Sequence, residues 1–254
     1  MTGGDGMQTV EGKSVLNQVV FGKLKFCRLA PKEPKPRPAL CTEEEAERFF
    51  RAQKQSVLEL NELHDRTCRQ IGEETASIFA IHAMLLEDED FIGTVCRMIR
   101  EKGTCAEYAV WETGRQLAST FSTMDNLYMQ ARAVDFRDIT YRIVWRLRGE
   151  RLLDPLRAGP AILVSDEFLP SEVIELDRSR LVGILAREGS VDSHTALLLR
   201  AFRIPAMAEV DLDEQWDGHT ALLDGIHHRL YLDPDSETLR RLLPERNQAL
   251  AGCV

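Results

Sequence analysis

The chain has 254 residues, of which 44% are apolar, and this is enough to bury one large core or two modest ones. The net charge of −9 argues against a nucleic-acid-binding protein, which would present a basic face, and suits a basic partner. No run of 18 apolar residues predicts a membrane span, the N-terminal residues 1–13 contain no apolar signal core, and the six cysteines form no CxxC pair. We therefore expect a cytoplasmic protein with reduced thiols, no membrane insertion and no metal site.

The first predicted element is a strand within residues 14–30, because Val19, Val20 and Phe21 form a short apolar run. Residues 31–38, PKEPKPRP, contain four prolines. Proline fixes φ and lacks a backbone donor, so this segment is interpreted as an extended linker at a domain junction.

A long helical block follows the linker. Thr42 with Glu45 three residues later predicts a capping box, and apolar residues then recur at helical spacing. No proline occurs between Pro38 and Pro155. Glycines and the region 122–126 are the expected breaks, which gives five predicted helices: about 42–71, 73–86, 88–101, 104–124 and 128–148.

The pattern changes after Gly149 to short apolar runs of strand character, separated by helical candidates at 170–176 and 194–203. Strands that alternate with short helices indicate an α/β domain, and 236–250 reads as a charged helix. The predicted organisation is a first strand region with the Pro-rich linker (1–38), a helical subdomain (39–149), an α/β domain (150–236) and a C-terminal linker helix (237–254).

The candidate chemical residue is His194. The strand 181–187 runs into a turn that contains Gly189, and a helix is predicted to start near His194. Unpaired backbone amides and the positive end of the helix converge there, so a phosphoryl group on the ring would be held by those donors. Neutral imidazole is nucleophilic near pH 7 and needs no separate base. A histidine at a helix start is also commonly an ordinary surface or capping residue.

Ser193-His194-Thr195-Ala196, then Arg200, then Ile204-Pro205-Ala206 resembles the mobile phosphohistidine signature of the phosphoenolpyruvate-utilising enzymes. The resemblance marks His194 as phosphoryl acceptor and donor, with Gly189, Ser193, Thr195 and Arg200 in supporting positions. Blocks elsewhere also match this group: Pro170-Ser171-Glu172, Asp224-Gly225 and Tyr231-Leu232-Asp233-Pro234.

The helical block resembles enzyme I of the bacterial sugar phosphotransferase system, through Gly72-Glu73-Glu74, the stretch 82–89 and ARAVDFRDI at 131–139. The resemblance implies a swivelling α/β phosphohistidine domain with an inserted all-α bundle that docks the phosphocarrier protein HPr. It implies no cofactor in this chain, because phosphoenolpyruvate and Mg²⁺ bind a C-terminal barrel that also forms the dimer. On that basis we expect a monomeric phosphotransferase fragment that does not use phosphoenolpyruvate alone.

The residues themselves also favour a docking surface in the helical block. Six carboxylates and no Lys or Arg lie between Gln70 and Cys96, with Met84, Leu85 and Leu86 among them. An acidic rim beside an apolar patch suits a basic-faced partner, although the leucines could be core and the acids a solvated helix start. By resemblance, His82 lies at this interface and Arg137 matches a family arginine, whose ordinary role is a structural ion pair. The predicted partner-binding residues are Glu73, Glu74, His82, Met84, Leu85, Glu87, Asp88 and Arg137.

The sequence departs from the family pattern around the signature. Glu188 replaces the first glycine, Val191 and Asp192 replace a basic residue and a threonine, Leu169 replaces a threonine, and Thr75 replaces a lysine. Added carboxylates oppose a phosphoryl group. These departures support an alternative hypothesis, in which the chain is a degenerate paralogue that acts as an HPr-type binding or regulatory module without efficient phosphotransfer. A third, a mobile domain of a dikinase-type enzyme, predicts no HPr binding.

Overall fold

The computed structural model describes residues 7–150 and 154–251, without the side chains at 127, 128, 131 and 244–251. The chain divides into two compact units. The described residues 30–150 form one, which we call the helical unit. Residues 7–29 and 154–251 form the other, which we call the α/β unit. An all-α insertion in an α/β body is the fold class that the sequence predicts.

The described part of the helical unit contains five helices, as predicted, with bounds that differ from the prediction by two residues or fewer. Gly72 separates the first helix from the second and Gly103 the third from the fourth; they have φ +92 and φ +59, positive values that glycine adopts without strain. The helices are α1 Thr42–Ile71, α2 Glu73–Leu86, α3 Glu89–Lys102, α4 Ala106–Ser122 and α5 Leu127–Arg148.

The start of α1 differs from the predicted capping box. The N-cap residue is Cys41, which makes no side-chain cap, and the Thr42 hydroxyl bonds to Glu43 at 2.6 Å. Glu45 instead accepts from Arg48 at 2.7 Å and from the Ala106 amide, the first residue of α4, at 2.7 Å. The Glu45 carboxylate thus caps another helix, which adds an electrostatic link between α1 and α4.

The Pro-rich segment 31–38 is part of the helical unit, not of the first strand region with which the sequence analysis grouped it. The Arg37 carbonyl accepts from the Cys105 amide at 2.9 Å, and the Lys32 carbonyl accepts from the Arg148 guanidinium at 2.7 Å. Pro31 and Pro34 are buried. Proline has no donor to satisfy, so it can be buried cheaply, and the carbonyls of the segment find partners on the helices.

The α/β unit is built on one eight-stranded sheet in the order β1-β8-β7-β3-β4-β5-β6-β2. The central strands β3, β4, β5 and β6 are parallel, and the others pair antiparallel at the two sides. The strands are β1 Gln8–Glu11, β2 Lys13–Ser14, β3 Val19–Phe26, β4 Ala161–Ser165, β5 Leu181–Ala186, β6 Ala206–Ala208, β7 Thr220–Asp224 and β8 Arg229–Leu232; the helices are α6 Pro170–Glu175, α7 His194–Ala201 and α8 Ser236–Ala251.

Both faces of this sheet are covered. The larger core includes Leu24, Ile162 and Leu185, all at most 1% exposed, and a second cluster joins Val19, Leu222 and Tyr231 to Leu242 of α8. Parallel strands buried on both faces read as continuous apolar runs, which is why β4 and β5 were predictable. The short edge strands β1 and β2 were not predicted, because their residues are mostly exposed and polar.

Candidate functional site

The predicted phosphohistidine turn connects the buried strand β5 to α7. After β5 ends at Ala186, Gly189 adopts φ +123, which a residue with a side chain would reach only with strain. Ser190 then organises the turn: its hydroxyl accepts from the Asp192 amide at 3.1 Å and its carbonyl from the Ser193 amide at 3.1 Å. These local bonds fix the direction in which the chain enters α7.

Ser193 is the N-cap of α7, and its side chain accepts from the Ala196 amide at 3.2 Å. His194 is therefore the first helical residue, and it is partly exposed. The amides of the first helical turn have no hydrogen-bond acceptor within the helix, so their N–H groups point out beyond the helix N-terminus. The Ala196 amide, however, is occupied by the cap, and it can bind a phosphoryl group only when the Ser193 hydroxyl turns away.

The other two predicted supporting side chains anchor the backbone. The buried Thr195 hydroxyl donates to the Phe168 carbonyl at 3.0 Å, which ties α7 to the loop before α6. Arg200 donates to the Val191 carbonyl at 2.6 Å, which ties the end of α7 to the turn at its start. Both groups thus help to position His194. The Thr195 hydroxyl has no second proton to donate, whereas the Arg200 guanidinium keeps further N–H groups beyond this bond.

The loop before α6 precedes the block Pro170-Ser171-Glu172, and a hydrogen bond to Glu172 fixes its conformation. Leu169 is 2% exposed, and its amide donates to the buried Glu172 carboxylate at 2.9 Å. Burial, together with the charge of Glu172, raises the pKa of the Cys27 thiol to about 12. Cys27 is therefore protonated at neutral pH and is not a competing nucleophile.

The predicted acidic rim consists of two separate groups. Glu73 and Glu74 lie exposed at the start of α2, and Glu87 and Asp88 lie exposed at its end. A 14-residue helix is about 20 Å long, so the two groups lie that far apart. Asp88 also caps α3 by accepting from the amides of Asp90 and Phe91 at 3.0 and 3.1 Å, so part of this charge serves the fold.

The apolar residues of this segment have different environments. Met84 is 70% exposed, Leu85 is half-buried and Leu86 is wholly buried. Leu86 is therefore a core residue, which is the alternative that the sequence analysis left open for the two leucines. Met84 is the exposed apolar group that a partner could cover.

His82 is corrected by the structure, because its side chain is 0% exposed and cannot touch a partner directly. Its Nε2 lies 3.2 Å from Asp135 and its Nδ1 lies 3.7 Å from Asp138. Arg132 donates to the other oxygen of Asp135 at 3.1 Å, and the partly buried Arg137 lies on the same helix, α5. The sequence analysis missed both aspartates, although their i,i+3 spacing within ARAVDFRDI places them on one helix face.

Two further histidines of the α/β unit contact carboxylates. His219 Nδ1 lies 2.6 Å from Asp233, and His227 Nδ1 lies 2.7 Å from the buried Asp224. Within 7–150 and 154–251, no three His, Cys, Asp or Glu residues are arranged to hold a metal ion. None of the described helices is both long and apolar enough to cross a bilayer.

A partly exposed histidine that opens a helix after a parallel strand, in an α/β unit interrupted by an all-α bundle, defines a swivelling phosphohistidine domain. Comparison with known families agrees with this class. The family "PEP-utilising enzyme, N-terminal" matches residues 11–132, and "PEP-utilising enzyme, mobile domain" matches residues 158–228, which include His194. The chain belongs to the phosphoenolpyruvate-utilising enzymes and resembles the N-terminal domain of enzyme I.

Two curated relatives illustrate the range of this family. A phosphoenolpyruvate-protein phosphotransferase of Bacillus subtilis is 30% identical over 83% of this chain and 37% of its own length. The phosphoryl donor subunit DhaM of a PEP-dependent dihydroxyacetone kinase, from Pantoea ananatis, is 32% identical over 86% of this chain and 45% of its own length. The chain thus spans less than half the length of these relatives.

Solved structures match almost the whole fold. The N-terminal domain of enzyme 1 (nitrogen) has a TM-score of 0.62 and 25% identity, over 95% of this chain and 99% of that one. An NMR structure of enzyme I has a TM-score of 0.71 at 24% identity, over 94% and 99% of the two chains.

Proposed function

We propose that this chain carries a phosphoryl group on His194 and exchanges it with a phosphocarrier protein of the HPr type, in the phosphoenolpyruvate-dependent sugar phosphotransferase system. The main support is the position of His194, partly exposed as the first residue of α7 and within the segment matched by the mobile-domain family. Neutral imidazole attacks phosphorus through a ring nitrogen, and the bond between phosphorus and the donor's nitrogen breaks. The same step in reverse returns the group to the carrier.

The turn supports this chemistry by limiting the motion of the imidazole. The bonds of Thr195 and Arg200 fix both ends of α7, and the helix start offers partial positive charge to the phosphoryl oxygens. The exposed carboxylates of Glu188 and Asp192 oppose it, although solvent screens them. These opposing contributions predict transfer that is measurable and slow.

The test mixes the chain with phosphorylated HPr and looks for acid-labile, base-stable phosphate on the chain. We expect labelling that disappears in His194→Ala and persists in His228→Ala, which removes an exposed histidine of the same unit. We expect no labelling from phosphoenolpyruvate alone, because the family resemblance assigns that substrate to a different domain. Labelling that survives His194→Ala would contradict the assignment.

The second candidate function is an HPr-type binding module without useful chemistry, and it is favoured by Glu188, Asp192 and the apolar Leu169. Docking is measured by NMR titration with unphosphorylated HPr. We expect perturbations within residues 73–100, and Met84→Glu is expected to weaken binding about tenfold because Met84 is exposed and apolar. Leu58→Glu, at a half-exposed leucine of α1, is the matched control.

The outcomes separate the candidates. Binding without labelling favours the module, and binding with His194-dependent labelling favours the carrier. No perturbation in 73–100 favours a mobile domain of another phosphoenolpyruvate-utilising enzyme. The DhaM relative carries the name of a phosphoryl donor subunit, so the carrier domain of such a donor is the next acceptor to try if HPr fails.

A further inference from the structure

A groove of about 280 Å³ lies between α1 and α5 of the helical unit, and neither the phosphohistidine turn nor the acidic surface includes it. The side chains that line it comprise three arginines and no carboxylate, in a chain whose net charge is −9. The lining is therefore positively charged, and the carboxylates of Glu45, Glu59 and Glu107 behind it offset part of that charge. The lining residues are Arg48, Arg51, Ala52, Gln55, Arg146 and Leu147.

Two of the arginines are fixed by hydrogen bonds to carboxylates that do not line the groove. Arg48 donates to Glu45 and Glu107, each at 2.7 Å, and to the Leu147 carbonyl at 3.1 Å. Arg146 donates through Nε to Glu59 at 3.0 Å. These bonds fix the guanidinium planes before any ligand arrives, which lowers the entropic cost of binding.

The Arg48 cation is stable at any accessible pH. Burial alone would lower its pKa, but the hydrogen bonds that Arg48 donates to Glu107 and Glu45 raise the pKa above the usual value. Arg48 Nε and Arg146 Nη1 make no hydrogen bond to these carboxylates. The two guanidinium groups therefore add positive charge to the groove, and each keeps an N–H group that can donate a further hydrogen bond.

Arg51 differs from both, because no carboxylate of residues 7–150 or 154–251 pairs with it. It is exposed, and it lies one helical turn after Arg48 and one before Gln55, so the three share one face of α1. An unpaired guanidinium presents a planar fork that matches phosphate or carboxylate oxygens two at a time. The Gln55 amide bonds to Glu59 at 3.2 Å and has a second N–H to offer.

We propose that this groove is a binding site for a small multivalent anion that carries phosphate or carboxylate groups. Arg51 supplies the bidentate contact, and Arg48 and Arg146 supply the surrounding positive field. The volume lies just below the range of about 300–1,000 Å³ typical of drug-sized ligands, which favours a compact ligand. The site is independent of phosphotransfer at His194.

The test is a ¹H–¹⁵N NMR titration of the full chain with inorganic pyrophosphate at constant ionic strength. We expect saturable shifts of the amides at 48–55 and 146–147. Arg51→Gln should weaken the apparent affinity about tenfold, because one charge-assisted bidentate contact is lost. Arg66→Gln is the matched control: Arg66 is an exposed arginine of the same helix, 15 residues and about 22 Å further along.

A parallel titration with citrate distinguishes the ligand chemistry: tighter binding of pyrophosphate indicates phosphate recognition, and tighter binding of citrate indicates carboxylate recognition. His194→Ala should leave either titration unchanged, so failure of the phosphotransfer proposal is distinguishable from failure of this one. Shifts that do not saturate, shifts outside the groove, or equal losses in Arg51→Gln and Arg66→Gln would each overturn the proposal.

Discussion

The buried ion pair between Glu107 of α4 and Arg48 of α1 makes a sharp prediction about the helical unit. Glu107 is 5% exposed, and its carboxylate accepts from Arg48 at 2.7 Å, while Arg37 lies 3.5 Å away. Glu107→Gln keeps the shape of the side chain and removes its charge. Arg48 then loses one of its two carboxylates inside a protein interior.

The expected loss of stability follows from this geometry. Breaking one partner of a fully buried pair costs about 3–5 kcal/mol. Arg48 is about a third exposed and keeps Glu45, so we expect about 2 kcal/mol here. A unit of about 120 residues changes its melting temperature by about 4 °C per kcal/mol, so the expected decrease is roughly 8 °C.

The pH dependence gives a second measurement. Burial by itself would raise the pKa of Glu107, but the Arg48 hydrogen bond and the charges of Arg48 and Arg37 lower it overall. A lowered pKa stabilises the fold above the ordinary value of 4.5, and this contribution is lost as pH falls through the folded-state pKa. The difference between wild type and Glu107→Gln should therefore be complete at pH 7 and shrink below about pH 4.5.

The assay is thermal unfolding of the helical unit followed by NMR or circular dichroism at several pH values. Glu112→Gln is the matched control, because Glu112 lies on the same helix and pairs at 2.7 Å with the exposed Arg115. We expect that control to melt close to wild type, since solvent screens its pair. Equal effects of the two variants, or a Glu107 effect that persists in acid, would refute the reasoning.

Three further predictions concern packing and the phosphohistidine turn. Ser193→Ala removes the N-cap of α7 and should cost about 1 kcal/mol, with faster amide exchange at the helix start as the measurement. Thr195→Val leaves the Phe168 carbonyl without its buried donor and should cost about 1–2 kcal/mol in chemical denaturation. Gly114→Ala would drive its new methyl group into Thr140 on α5 and should lower the melting temperature, whereas Gly93→Ala, with open space around it, should gain about 0.5–1 kcal/mol.

The long elements could be predicted because their causes are local. α1 was predicted with the bounds that the structure has, since apolar residues recur along its length at helical spacing. Phe50, counted in that apolar stripe, is 42% exposed, because it lies one position beyond the buried Phe49. The spacing of apolar residues thus predicts that a helix exists more reliably than it predicts which residues lie at the edge of its buried face.

The features that the sequence analysis missed depend on residues far apart in the chain. Glu45 does not form its expected cap, because its carboxylate accepts a hydrogen bond from the Ala106 amide, 61 residues away. His82 is buried because Asp135, 53 residues away, supplies the polar contact that makes burial tolerable. No local pattern reports such pairings, so a histidine in an apolar helix cannot be assigned to surface or core from spacing alone.

The two candidate functions depend on residues in different units, and this makes them separable by experiment. The proposed phosphotransfer uses His194 and its turn in the α/β unit, whereas the proposed docking uses the exposed part of α2 around Met84 in the helical unit. The bonds that position His194 end on Phe168 and Val191, both in the same unit, so substitutions in α2 leave them intact. A chain that lost its chemistry could therefore keep its docking surface, and the pair His194→Ala and Met84→Glu tests each function without disturbing the other.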